Sequence, residues 1–248
     1  MPPSSCSWPV TTQLHTNSFS TGRAAASAGV ILFVLLLLGA AACAPAAELV
    51  VRVKDQPPPK ELDASIAGRL QPKAVQVLAG DQRLFEFWFV EQLPLGAKPA
   101  SPAKALETIK QPALLGAVSV GKGRRDYRDD DIAPGVYTMR LAIQPNDGNH
   151  LGTSEFSWFS ALIPARLDTK PDGIADYKSM VKMSSKETTT DHPVILSLRP
   201  ASSSDGALPQ LSEPAPEHRS VRVQVPAKAG EETTSVVFEV VIEGKGHK

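Results

Sequence analysis

Twenty-two prolines are spread through these 248 residues, and they restrict the fold more than any other feature. Proline lacks a backbone N–H and fixes its own φ, so it breaks helix interiors and is kept to the edges and ends of strands. Such a chain suits short strands joined by turns and loops. The patterned stretches agree. Arg83 to Glu91 (RLFEFWFVE) alternates, with Phe85, Phe87 and Phe89 on one face and Leu84, Glu86, Trp88 and Val90 on the other. The Phe row reads as the core face, and Trp88 as covering a second layer or lining an exposed groove. In Val136 to Ile143 the core set is Tyr137, Met139, Leu141 and Ile143, opposite Val136, Thr138, Arg140 and Ala142. Further strand signals occur at Glu48–Lys54, Ile66–Leu70, Ala74–Leu78, Leu114–Val120, Trp158–Pro164, Pro193–Leu198, Val221–Val225 and Val236–Ile242.

One stretch has helical spacing instead. In Pro171–Lys186, Ile174, Tyr177 and Val181 share a face, and Asp172 is placed to cap its start. Leu93 to Lys104, with three prolines, and the Ser/Pro/Ala-rich run from Ala201 to His218 read as loops. The spacing predicts an all-β fold, a two-sheet sandwich of immunoglobulin-like or jelly-roll type with one short helical excursion.

The N-terminus follows different rules. Residues 1–23 contain no acid and end in one cation, Arg23, after which Ala24–Ala47 is uncharged around the apolar centre VILFVLLLL (Val30–Leu38). A cation, a short apolar stretch and small residues are the marks of a secretory signal peptide, and the apolar centre is shorter than a membrane span needs. Residues 1–46 are thus a signal peptide or a membrane-anchoring segment. Cleavage after Ala44-Pro45-Ala46 would release the chain; Ala40-Ala41-Ala42-Cys43 resembles a lipobox, with Cys43 as the lipidated residue. Arg23 on the cytoplasmic side puts the rest outside under every reading, in the periplasm or cell envelope. Residues 47–62, with Pro57–Pro59, read as an extended spacer, leaving 63–248 as a single sandwich domain. Its two candidate thiols, Cys6 and Cys43, both precede that domain, which therefore has no disulfide and no cysteine nucleophile or zinc ligand.

Read together, FEFWF, RDYRDDDIAPGVYTMR, QPNDGNHLGTSEF and DHPVILSL, between Leu70 and Leu198, resemble a family of secreted proteins from planctomycetes and related bacteria. The resemblance implies export and a single domain, and brings no activity or ligand with it.

Lys plus Arg equals Asp plus Glu at 26 each, with no long basic run, which argues against a nucleic-acid partner. Four candidate sites remain. Asp147, Asn149 and His150, joined by Asp191 and His192, offer ligands for a divalent metal, although Asp-Gly-Asn is also turn chemistry. Arg124–Asp131 carries three Arg and four Asp, which reads as a solvated loop pairing its own charges or as a cation site. Ser154 or Ser160 with His150 and Asp147 supplies hydrolase residue types without a G-x-S-x-G elbow. Trp88, Trp158 and Tyr127 are rings suited to a carbohydrate or protein ligand. The function that follows is an exported, envelope-associated binding or structural module; the alternative is a metal-dependent or hydrolytic enzyme using the Asp147–His150 loop with His192. The membrane enters as a partner only through the N-terminal segment. Globomycin treatment and Cys43→Ser separate the two cleavage modes: accumulated precursor in both assigns the lipoprotein route, and unchanged mature size in both assigns release after Ala46.

Overall fold

In the computed structural model, residues 48–144, 157–187, 192–201, 206–215 and 218–244 are described. Residues 1–46, read above as a signal or anchoring segment, lie outside them, Cys43 included. Ala47–Lys248 is one compact unit, and its main core draws only on residues between Leu49 and Ile242.

In chain order the strands are β1 (Leu49–Asp55), β2 (Lys73–Ala79), β3 (Gln82–Phe89), β4 (Leu93–Leu95), β5 (Leu114–Val120), β6 (Arg124–Arg125), β7 (Asp131–Ile132), β8 (Gly135–Ile143), β9 (Trp158–Pro164), β10 (Ile195–Pro200), β11 (Gln210–Ala215), β12 (His218–Ala229) and β13 (Glu232–Glu243). Two helices, α1 (Ala64–Ala67) and α2 (Tyr177–Ser184), complete the described elements above the level of 3-10 turns. The protein is mostly β, as expected. A sandwich of two sheets is not confirmed, since eleven of the described strands belong to one sheet. One hydrogen-bonded path runs β1-β2-β3-β5-β8-β9-β10-β13-β12-β11, with β4 beside β12; β6 and β7 pair apart.

Chain reach forces this sheet to curl. From β3 to β12 the path crosses six strand spacings, about 29 Å if laid flat. Yet Phe89 ends β3 and Leu93, four residues on, pairs in parallel with Ala227 of β12. Four residues span at most about 14 Å. The sheet must therefore fold over its own inner face, and the T-shaped contact of Phe89 with Phe238 of β13, centroids 5.9 Å apart, crosses that interior. Phe85, Phe87 and Phe89 stack along β3 and line it. Tyr137, Met139 and Leu141 point into the same core, whereas Ile143, expected there, is 38% exposed because it lies at the strand's end.

The outer face is covered as well. Trp88 is buried, and its indole N–H donates to the Gln56 carbonyl at 3.1 Å. Ile66, expected as strand, instead lies in α1, capped by Asp63, whose carboxylate accepts from Ser65 N–H at 2.8 Å, while Leu70 makes a single antiparallel bridge with Val90. Residues 47–62, read as a spacer, contribute β1, paired along its whole length with β2. α2 lays Met180 against Phe159, Ala161 and Ile163 on the back of β9. Its N-cap is Asp176 rather than Asp172, because the carboxylate there accepts from Ser179 N–H at 2.7 Å. The loops expected at 93–104 and 201–218 hold the short strands β4 and β11, whose prolines hid their pairing. The closing pair is a longer hairpin than its apolar residues suggest, turned at Gly230 with φ +59°.

Covering both faces puts charges in the interior. Arg140, on the back of β8, is 1% exposed and so is Asp168. Arg140 Nε and Nη2 donate to the two Asp168 oxygens at 2.8 and 2.9 Å, Thr138 Oγ1 donates to Asp168 at 2.6 Å, and Nη2 also donates to the Lys170 carbonyl at 2.8 Å. Removing one partner strands the other, which costs about 3–5 kcal/mol, while an apolar pair of similar volume is tolerated. Asp168→Ala should accordingly lower the unfolding free energy by about 3–5 kcal/mol in urea denaturation, and Arg140→Met with Asp168→Leu should recover most of the loss.

Candidate functional site

A cavity of about 610 Å3 lies at the Arg/Asp hairpin. β6 and β7 form its stem, and the tip turns through Asp129, which has φ +69°. Asp126 is the organiser. Its Oδ1 accepts from the backbone N–H groups of Arg128 (2.9 Å) and Asp130 (3.0 Å), and its Oδ2 accepts from Arg128 Nη2 at 3.1 Å. The same Arg128 nitrogen donates to the Pro193 carbonyl at 2.8 Å, tying the hairpin to the start of β10. Arg125 pairs with Asp129 at 3.0 Å and Asp131 at 2.9 Å, and these two carboxylates raise its pKa further. Arg124 approaches Glu243 of β13 at 3.8 Å. The charges thus close on one another, as the solvated-loop reading expects, except that Asp126 is buried rather than solvated.

Beneath the hairpin, Tyr137 donates its hydroxyl to the Ala133 carbonyl at 2.7 Å. Tyr127 is buried, with its ring 5.5 Å from that of His218 and its hydroxyl 3.4 Å from His218 Nε2. Nothing in the sequence pointed to this pairing, since the two residues are far apart in the chain. The cavity lining holds carboxylates, guanidinium groups, apolar side chains and one phenol, but no Ser, Thr, Cys, Lys or His. Such a lining can hold a polar group by hydrogen bonds.

Asp147, His150, Asp191 and Ser154 lie outside the described residues. His192 is exposed, one residue before the Pro193 that receives Arg128. Among the described residues no three His, Cys, Asp or Glu side chains are grouped to hold a metal ion, the four hairpin aspartates included. Ser160 is buried between Leu141 and Leu196 across the sheet. Trp88 lies under the Gln56 segment with no open face, and Trp158 is half-buried against the main core.

Asp168 and two further buried carboxylates, Glu86 and Glu239, were missed. Glu86 meets Arg83 at 2.8 Å and accepts from Gln76 and Gln56. Glu239 accepts from Ser220 at 2.6 Å and pairs with Arg222 (2.9 Å) and Arg199 (3.0 Å). Burial pushes the Glu239 carboxyl up, but Ser220 and the two guanidinium groups outweigh it and hold its pKa below the ordinary carboxylate range. Both glutamates face outward by alternation, and their position alone gave no sign that Gln56 reaches Glu86 or that arginines of the neighbouring strands close around Glu239.

No family model, curated protein or solved structure matches the chain.

For Asp126, burial is the largest influence and raises its pKa above the ordinary value, against the pull of Arg128 and the two backbone donors. Between the unfolded and folded values the folded chain binds more protons, so stability falls as pH rises through that window. Asp126→Asn keeps the acceptor for both N–H groups and does not titrate. Urea midpoints at pH steps from the ordinary carboxylate range upward should show the native chain losing stability relative to this variant; a constant difference would contradict the assignment.

Proposed function

We propose that the chain is an exported, envelope-associated β module that works by binding or as a structural part of the envelope, and not by catalysis. The observation that carries this reading is the state of its buried charges. Asp126, Glu86, Asp168 and Glu239 each have cationic and hydrogen-bonding partners already in place. A catalytic acid or base needs an open face toward a substrate and a pKa matched to its task. Glu86, Asp168 and Glu239 spend their lone pairs inside the fold, and Asp126, which lines the hairpin cavity, gives its own to two backbone N–H groups and Arg128. Export rests on the segment Arg23–Ala46 and on the likeness to planctomycete secreted proteins. We read the layering as sandwich-like, with two walls of the curled sheet facing each other across Phe89 and Phe238. A protein or carbohydrate partner at the hairpin end suits the polar cavity between Arg128 and Tyr137.

Metal analysis tests the reading against its rival. The purified protein, His150→Ala and His192→Ala should all contain substoichiometric divalent metal and melt together in a thermal scan. Stoichiometric metal that is lost in both variants would replace the binding module with a metal-dependent enzyme at the Asp147–His150 loop.

A further inference from the structure

β12 is edged by two short strands, with a break between them. β11 pairs it from Gln210↔Arg222 toward the strand's start, and β4 pairs it from Leu93↔Ala227 toward its end. Val223–Pro226 have no ladder neighbour on that side among the described residues. A slot of about 500 Å3 opens at this break, facing the ends of β1, β2 and β3. That volume is within the range of small-molecule sites. Exposure grades along it: Phe89 at 5% and Val223 at 2% are deep, Val75 at 9% is above them, and Val53 at 48% stands at the mouth.

Charge is the discriminating feature. Lys73 is the one charged residue in the lining, and its other polar groups are neutral amides and hydroxyls. Among the described residues Lys73 makes no ion pair within 4 Å; Asp55, its cross-strand partner on β1, is on the same face but outside the lining. An apolar trough with a single cation at its mouth matches an aliphatic chain ending in an anion. The ammonium, on its flexible stem, can meet the headgroup while the stem lies along the apolar wall. A peptide strand suits the gap less well, because only four residues are open and Pro226 has no N–H.

We propose that this slot binds a straight-chain fatty carboxylate, with its alkyl chain over Val75, Phe89 and Val223 and its carboxylate at Lys73. The inference rests on the binding-module reading and names a ligand class for it. Calorimetric titration of the Ala47–Lys248 unit, whose main core is complete within itself, with octanoate, decanoate and dodecanoate is the test. One site per chain is expected, with affinity rising about fourfold for each added methylene. Replacing dodecanoate by dodecanol, or introducing Lys73→Gln, should each weaken binding about fivefold, as for an exposed ion pair. Val53→Trp fills the mouth and should abolish binding, while Val50→Trp, on the opposite face of the same strand, should leave it unchanged; circular dichroism checks that both variants fold. Absence of saturable binding, or Val53→Trp binding as tightly as the native unit, would overturn the proposal. That failure is separate from failure of the module reading, which the metal analysis of the two histidine variants decides.

Discussion

The pairing of Leu93 with Ala227 is the constraint on which the other features hang. It joins the continuation of β3 to a strand six places away in the sheet, so the sheet cannot lie flat. Once curled, its inner face becomes an enclosed apolar core, and the outer face is too hydrophobic to be left in water. The segments Gln56–Leu70, Ala165–Pro171 and α2 supply that cover. Close approach is part of the same geometry. A Cβ at Gly116 of β5 would run into the Trp88 carbonyl, so a larger residue there would push β3 and β5 apart.

Covering an outer face that alternates apolar with polar side chains has an electrostatic consequence. Arg140, Glu86 and Glu239 point away from the core and still lose their water. Each is compatible with folding only because its hydrogen-bonding positions are met, and the Arg140–Asp168 pair does this with carbonyls of the covering loop as well as with the carboxylate. Charge and backbone are thus satisfied by the same contact, which fixes where the loop lies.

Most of the strands were legible in the sequence, because Phe85-Phe87-Phe89 and Tyr137-Met139-Leu141 repeat with the period of two that a pleated strand imposes. The long-range layout was not. Nothing in LPL signals parallel pairing with β12, and a three-residue strand is too short to carry a pattern. The second layer was half legible: Trp88 on the face opposite the Phe row suggested a cover, but Arg140 and Glu239 on the same kind of face suggested solvent. The charged hairpin showed the reverse limitation. Its mixed signs predicted self-pairing, while the burial of Asp126 depends on Pro193 and the start of β10, which come much later in the chain.

The break in the edge of β12 also bears on how the molecule reaches its final shape. The β12–β13 hairpin and the β1–β2–β3 meander close short loops, so their ladders can form early and locally. The β4–β12 pairing closes a loop holding most of the domain and returns only three paired residues. The last ladder to become worthwhile is therefore the one that seals the curl. Until it forms, the Phe row stays uncovered, and any factor that shields apolar strands would have to meet the chain at that stage.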